Sequence, residues 1–319
     1  MSRLKEENNQ LVVILGPTSS GKTRLAVELA AKFNGEIISA DSRQVYRGMD
    51  IGTGKDLREY KILNIKNKKY IDIPYYLIDV VEPNQEFNLA MYKRQAEEAI
   101  EDVHRHGKLP ILVGGSGLYL QAVVDNYQLS NVAADDILRN KLEKKTVQNL
   151  YQELAKLNKK FAEKLNHSDR HNKRRLIRYL EIQKQGVASL KRGDEKFDSL
   201  IIGLTLSKKE LGERIKARLL ERLEKEDMIG EVSKLHREGV SWQRLESFGL
   251  EYKFVSRYLQ KKITYEELVE QLNRAINRFA RRQLVWFRRW EKQGRVIIWI
   301  KNGKNGVGEI EKLISKFSK

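Results

Sequence analysis

The chain contains no cysteine, which excludes disulfides and thiolate metal sites and suits a reducing compartment. Long apolar runs are missing as well: the longest, Leu11 to Leu15 and Leu109 to Val113, are far too short to cross a bilayer. The stretch from Met1 to Gln10 is polar and mixed in charge and has no secretory-signal pattern, so the cytoplasm is the expected location and no membrane association is expected. Acidic residues are few beside basic ones, 43 against 61, leaving a formal net charge of +18. Such an excess favours a polyanionic partner, nucleic acid or an anionic surface, over a merely lysine-rich composition. The position of the arginines can separate these readings. With 319 residues, 40% of them hydrophobic and 33% charged, the chain can form a globular core as one large domain or two modest ones, and a monomer is expected.

The most informative segment is Gly16-Pro17-Thr18-Ser19-Ser20-Gly21-Lys22-Thr23, which matches G-x-x-x-x-G-K-[ST]. It follows the apolar run Leu11 to Leu15 and precedes a helical pattern from Arg24 to Phe33. Strand, glycine loop and helix N-terminus together place backbone N–H groups and the positive end of a helix dipole around phosphate oxygens. Lys22 supplies a point charge to the terminal phosphates and Thr23 a hydroxyl for Mg²⁺. A polyphosphate or diphosphate ligand is predicted.

Candidate strands Leu11–Leu15, Glu36–Ser39, Tyr75–Val80 and Pro110–Val113 alternate with helices over the first 125 residues, predicting a parallel α/β sheet with helices on both faces. One such helix spans Leu89 to His106, with Asn88 placed to cap its start and Gly107 its end. From about Asn126 the character changes, and residues 135–184 are rich in Lys, Glu, Leu and Arg without a convincing strand. After a looser stretch, 185–199, a further core strand is predicted at Leu200 to Leu206, and a last one at Arg295 to Ile300. The expected organisation is therefore a core of residues 1–125 and 200–319, with helical C-terminal region, interrupted by an all-helical insertion over 126–199.

Ligands of open parallel sheets collect beyond the carboxyl ends of the strands. The residues there are the phosphate loop, Ala40-Asp41-Ser42-Arg43-Gln44, Val81-Glu82-Pro83 with Asp79, and Gly114-Gly115-Ser116-Gly117. Asp41 beside a bound phosphate either orders Mg²⁺ through water or accepts a proton from a nucleophile, unless it only caps the next element. Ser116 reads most simply as a helix N-cap. Gly115-Ser116-Gly117 is not a G-x-S-x-G elbow and no Ser-His-Asp order is evident, which argues against a hydrolase. Ile111-Leu112-Val113 ends in glycine rather than a Walker B acid, and Leu77-Ile78-Asp79 approximates that pattern weakly. Small-molecule kinase chemistry or chemistry with pyrophosphate as leaving group remains, as does an RNA-binding module without transfer chemistry.

Wound at a helical period, Leu272 to Trp290 puts Leu272, Ile276, Phe279, Trp286, Phe287 and Trp290 on one face. Arg274, Arg278, Arg281, Arg282, Arg288 and Arg289 fall on the other, with no acidic residue among them, an arrangement an anionic partner would relieve. In Arg174-Arg175-Leu176-Ile177-Arg178 the arginines cluster while Leu176, Ile177 and Leu180 turn inward. Arg214, Arg218 and Arg222 recur every four residues, with Glu213, Glu221 and Glu224 near enough for ordinary helical pairing.

With the phosphate loop, Asp41-Ser42-Arg43-Gln44-Val45-Tyr46, Met49-Asp50-Ile51-Gly52-Thr53 and Leu112-Val113-Gly114-Gly115, the chain resembles the tRNA dimethylallyltransferases, or tRNA isopentenyltransferases. The likeness continues through Arg174 to Arg178 with Leu180-Glu181, Arg214-Ile215 with Arg218, and Ala280 to Trp286. The resemblance implies transfer of a dimethylallyl group from its diphosphate to N6 of adenosine 37, beside the anticodon of tRNA. It implies that residues Gly16 to Thr23 hold the diphosphate with Mg²⁺, that Asp41 is the general base, and that Arg218 contacts the diphosphate. Ser116 stands where the family usually has threonine and is implied as a catalytic residue beside Asp41 and Arg218. Ser42, Arg43, Gln44, Arg139 and Arg174 to Arg178 match positions that contact the anticodon stem-loop, with Asp41 and Ser116 beside them. Two departures stand out: Tyr75-Tyr76 replace a pair of histidines, and a Gly-Tyr-centred segment reads Phe248-Gly249-Leu250-Glu251-Tyr252-Lys253.

Overall fold

The computed structural model describes residues 9–64, 69–129, 135–184 and 191–318. The chain divides into two compact units, Met1–Val124 with Glu195–Lys319, and Asp125–Asp194.

The first unit is built on six parallel strands: β1 (Gln10–Leu15), β2 (Gly35–Ala40), β3 (Tyr75–Tyr76), β4 (Leu109–Gly114), β5 (Asp198–Thr205) and β6 (Ile298–Lys301). Their order in the sheet is β6-β5-β1-β4-β2-β3. Successive side chains of a strand point to opposite faces, and here both faces are dry. Leu11, Val13 and Leu15 join one core with α2 (Leu89–Arg105) and α3 (Gly117–Val124). Val12 and Ile14 join the other with α1 (Lys22–Lys32) and α8 (Lys304–Phe317). A third cluster packs α4 (Lys208–Glu224), α5 (Met228–Arg237), α6 (Leu250–Leu259) and α7 (Tyr265–Lys292) with Val45, Tyr46, Met49 and Val81. Asn88 caps α2 by accepting from the backbone of Ala90 and Met91, and Gly107 follows its end with φ of 66°.

The strand expected at Tyr75 to Val80 stops after two residues. Leu77 and Asp79 take positive φ values of 64° and 56°, which turns the chain out of the sheet. Asp79 consequently ends no strand and is no Walker B acid; it pairs instead with the buried Lys55 ammonium, which also donates to Tyr46 O at 2.6 Å and Asp50 Oδ1 at 2.8 Å. This knot fixes the segment that follows β2.

The second unit packs five helices, between residues 136 and 184, around Leu142, Leu150, Leu154, Ala162, Leu165, Leu176, Ile177 and Leu180. It is not all helical: Tyr127–Gln128 and Lys191–Arg192 form a short antiparallel ribbon at its two chain ends. Two-residue strands carry no periodicity for a sequence reading to detect. Part of the looser stretch expected over 185–199 lies outside the described residues.

Candidate active site

Leu15 pairs with Gly114 and Gly114 with Ala40, so β1, β4 and β2 end level with one another. The next residue on each strand is therefore Gly16, Gly115 or Asp41, and the phosphate loop, the glycine turn and the carboxylate open on one edge of the sheet. Between β1 and α1 the loop turns through Ser19 (φ 62°) and Gly21 (φ 82°). Gly21 suits a left-handed backbone at no steric cost. Ser20 N donates to Pro17 O at 3.2 Å, and Lys22 Nζ reaches back to Pro17 O at 3.4 Å.

Two side chains from distant sequence pin this loop. Gln283 of α7 accepts the Thr18 N–H on Oε1 at 2.9 Å and donates from Nε2 to Gly115 O at 2.9 Å. Asn302 donates to Ser20 O at 2.5 Å. Neither was a sequence candidate. Gln283 had a signal: it is the one polar residue at a core-facing position between Phe279 and Phe287, and it is buried. Asn302, just after β6, carried none.

Burial lowers the Lys22 ammonium from its ordinary 10.5 to about 8, opposed by the attraction of Asp41 and reinforced by the repulsion of Arg218. That coupling places Asp41 and Arg218 in the electrostatic neighbourhood of the loop lysine. Glu59 stands there too, its carboxyl pushed up by burial while Arg218 acts against the shift. Asp41 has a local role: Oδ1 accepts the Arg43 N–H at 2.9 Å, closing a turn of the kind Asp side chains favour. Ser116 stands at the N-cap of α3, its carbonyl accepting the N–H groups of Tyr119 and Leu120 at 2.9 and 3.1 Å, while its Oγ accepts the Ser42 N–H at 3.1 Å and ties the turns after β4 and β2 together. Gln44 Nε2 donates to Gly54 O at 3.2 Å while its Oε1 accepts from Ser39 Oγ at 3.1 Å.

Farther along the same segment, Glu231 accepts the N–H groups of Asp50, Ile51 and Gly52 at 2.8, 2.6 and 3.0 Å, and the Tyr252 hydroxyl at 2.7 Å. The motif Met49 to Thr53 is thus a backbone nest closed by a carboxylate. Arg43 pairs with Glu251 at 2.6 Å, and Arg222 lies 3.7 Å from the same carboxylate. The arginine row of α4 therefore does not pair with Glu213, Glu221 or Glu224: Arg222 is buried and turned to α6, Arg218 is half-buried beside the phosphate loop, and Arg214 is exposed. At the replaced histidine pair, Tyr76 donates to the buried Glu36 at 2.6 Å, and Tyr75 packs on Tyr60 with ring centroids 4.7 Å apart.

Thr23 follows Lys22 in the first turn of α1, and Asp41 acts on the same lysine, so hydroxyl and carboxylate oxygens flank the phosphate loop. Among the described residues no group of three or more His, Cys, Asp or Glu forms a ready-made metal cage. A few hard oxygen donors suit Mg²⁺, which takes most of its ligands from phosphates and water.

In the second unit Glu181 is fully buried and holds two arginines, Arg139 at 2.6 and 3.2 Å and Arg178 at 3.1 Å. Arg175 pairs with Asp169, and Arg174 is exposed. Leu176 and Ile177 lie inside the helical core, so their side chains support the cluster without presenting a surface. On α7 all six arginines of the predicted basic face are exposed. Arg274 pairs with Glu270, and Arg288 and Arg289 lie over Trp299 and Trp286 with 5.5 and 5.4 Å to the ring centroids.

The model of the family described as IPP transferase matches residues 44–290. Similar proteins include tRNA dimethylallyltransferase 1 of Syntrophus aciditrophicus, 46% identical over 293 residues, which are 91% of this chain and 93% of that one. Another is tRNA dimethylallyltransferase 2 of Treponema denticola, 45% identical over 308 residues, 93% of this chain and 97% of that one. Among solved structures, the tRNA isopentenylpyrophosphate transferase of Bacillus halodurans superposes with a TM-score of 0.68 at 34% identity, over 97% of each chain. A eukaryotic dimethylallyltransferase acting on tRNA superposes with a TM-score of 0.75 at 26% identity, over 92% of this chain and 74% of that one. Likeness in sequence and fold along nearly the whole chain, together with a phosphate loop level with Asp41, makes this protein a member of the IPP transferase family.

Proposed function

We propose that this chain transfers a dimethylallyl group from dimethylallyl diphosphate to N6 of adenosine 37 of tRNA, giving N6-isopentenyladenosine. The observation that carries this reading is the level ending of β1, β4 and β2, which sets a diphosphate loop and a carboxylate on one edge of the sheet. In the transfer, the allylic C–O bond to the diphosphate breaks, a C–N bond forms at N6, and the amine proton passes to the Asp41 carboxylate. The backbone N–H groups of residues 16–23, Lys22 and Arg218 take up the charge that develops on the departing pyrophosphate. Thr23 would hold Mg²⁺, which when bound neutralises part of that charge. Ser116 and Ser42 hold the turn that aims Asp41.

Adenine must leave its stack to reach this edge. Ser42, Arg43, Gln44, Arg139, Arg174, Arg175 and Arg178 are the proposed contacts to the anticodon stem-loop, with Leu176 and Ile177 contributing support from within their helix. The exposed arginines of α7 serve the phosphate backbone. A cytoplasmic monomer is the form in which the protein is expected to act.

Incubated with labelled dimethylallyl diphosphate and tRNA, the protein is expected to label the RNA, and digested nucleosides to contain N6-isopentenyladenosine by mass spectrometry. Consumption of labelled ATP without RNA would make it a kinase instead. Salt-sensitive RNA binding with unchanged adenosine would make it a binding module.

A further inference from the structure

Three guanidinium groups, those of Arg43, Arg218 and Arg222, converge beside the candidate site, and a single buried carboxylate stands among them. The Glu251 side chain is 5% exposed; its Oε2 meets Arg43 at 2.6 Å and its Oε1 lies 3.7 Å from Arg222. Arg43 belongs to the Asp41 turn, since its own N–H donates to Asp41 Oδ1. Its guanidinium also lies over the Phe279 ring, 5.8 Å from the centroid. Arg222 belongs to α4, one turn beyond Arg218. Both of these guanidinium groups sit against Gly54: a Cβ there would overlap that of Arg222 and stand 3.0 Å from Arg218 Nη2.

We infer that Glu251 is a positioning residue that sets the Asp41 turn and the Arg218 guanidinium at a fixed separation, by holding Arg43 on one side and Arg222 on the other. The inference rests on the transfer reading above and deepens it, and it gives Arg43 a second task beside its proposed contact with RNA. A buried ion pair is weak evidence for stability; its best-attested use is to fix register. Here the register is that between a proton acceptor and a group facing the leaving diphosphate. Without the carboxylate, Arg43 and Arg222 repel each other, and Arg222 and Arg218 compete for the space over Gly54. Burial and the neighbouring Arg218 already lower Arg222 to about 10, with Glu251 acting against that shift.

The test compares wild-type protein with Glu251→Gln, Arg43→Gln and the double variant. For each, prenyl transfer at saturating donor and tRNA, the KM for tRNA, and the affinity for inorganic pyrophosphate by calorimetry are measured. Glu251→Gln is expected to lower kcat about 10- to 100-fold, the scale of a small misplacement of reacting groups. It is expected to weaken pyrophosphate severalfold and leave the KM for tRNA within about twofold, because no RNA contact is lost. Arg43→Gln should lower kcat and pyrophosphate affinity in the same way, its KM for tRNA rising only as far as its own RNA contact is lost, and the double variant should lower kcat no further than the worse single one, since all three changes break one linkage. Glu251→Asp, which keeps the charge, should recover part of kcat.

Unchanged kcat and pyrophosphate affinity in a folded Glu251→Gln protein overturns the inference. So does an Arg43→Gln protein that keeps kcat and pyrophosphate affinity, which would leave Arg43 its RNA contact alone. Should Glu251→Gln not fold, Arg43→Gln and Gly54→Ala, which displaces both guanidinium groups directly, carry the test on the same readouts. A wild-type protein that binds pyrophosphate and labels no RNA sinks the transfer reading, while the pyrophosphate affinities still decide the coupling.

Discussion

The side-chain amide of Gln283 accepts the backbone N–H of Thr18 at 2.9 Å, joining the middle of the longest helix to the phosphate loop. The same amide donates to Gly115 O, so one buried side chain satisfies the turns after β1 and β4 together. Gln283→Leu removes both bonds and leaves the Gly115 carbonyl buried without that partner. A loss of about 1–3 kcal/mol in unfolding free energy is expected. Pyrophosphate should bind more weakly in step, because the loop loses its anchor. Thermal unfolding with and without pyrophosphate checks this, and equal shifts for wild type and variant would deny the loop effect.

Asp41 has two tasks that different substitutions separate. Asn keeps an oxygen for the Arg43 N–H and removes the basic carboxylate, whereas Ala removes both. Transfer should fall about 10²- to 10⁴-fold in Asp41→Asn and at least as far in Asp41→Ala. Binding of tRNA should stay nearly intact in both. If Asp41→Asn transfers normally, the carboxylate serves the turn alone.

Lys22 predicts a pH dependence of known sign. Its ammonium titrates near 8 in the free protein, and a diphosphate binds the protonated form. Affinity for pyrophosphate should therefore be flat below about pH 7.5 and fall as pH rises through 8, approaching tenfold per unit. The stability linkage runs the other way. Between pH 8 and 10.5 the unfolded chain holds the proton that the folded chain has lost, so this residue's contribution to stability rises with pH across that window. Lys22→Ala should bind weakly and lose the step in affinity. Calorimetric titrations from pH 6.5 to 9.5 decide the matter.

The basic face of α7 makes a prediction about salt. From Arg274 to Arg289 the helix advances about 22 Å at 1.5 Å per residue, enough to follow several phosphates. Replacing Arg278, Arg281 and Arg282 with Gln should reduce the slope of log K against log salt by about 2 to 3, at about 0.7 to 0.9 per lost contact. Pyrophosphate affinity should not change, since these side chains are exposed on the face away from Gln283. An unaltered slope would place the RNA elsewhere.

How far these features were legible depended on the range of the interaction behind them. The phosphate loop, β1, β2, β4 and α2 were readable because local backbone preference, alternation and capping agree within about twenty residues, as Asn88 and Gly107 do for α2. Tyr75 to Val80 read as a strand, yet Asp79 follows the Lys55 ammonium instead, a contact 24 residues away that overrides a β-prone sequence. The short ribbon at the ends of the insertion has too few residues for any pattern.

What the sequence determined by itself was the chemistry that could be present: a diphosphate loop, a carboxylate at the end of the second strand, and arginines too many for the acids near them. Tertiary structure decided which of these groups meet. Gln283 reaches Thr18 across 265 residues, and Glu251 reaches Arg43 across 208. Helical spacing offered Arg222 nearby glutamates, but packing turned it towards α6, where a buried carboxylate stands opposite. Local rules act over a turn or two of chain; burial is a property of the assembled layers, and a buried charge takes the partner those layers bring within reach.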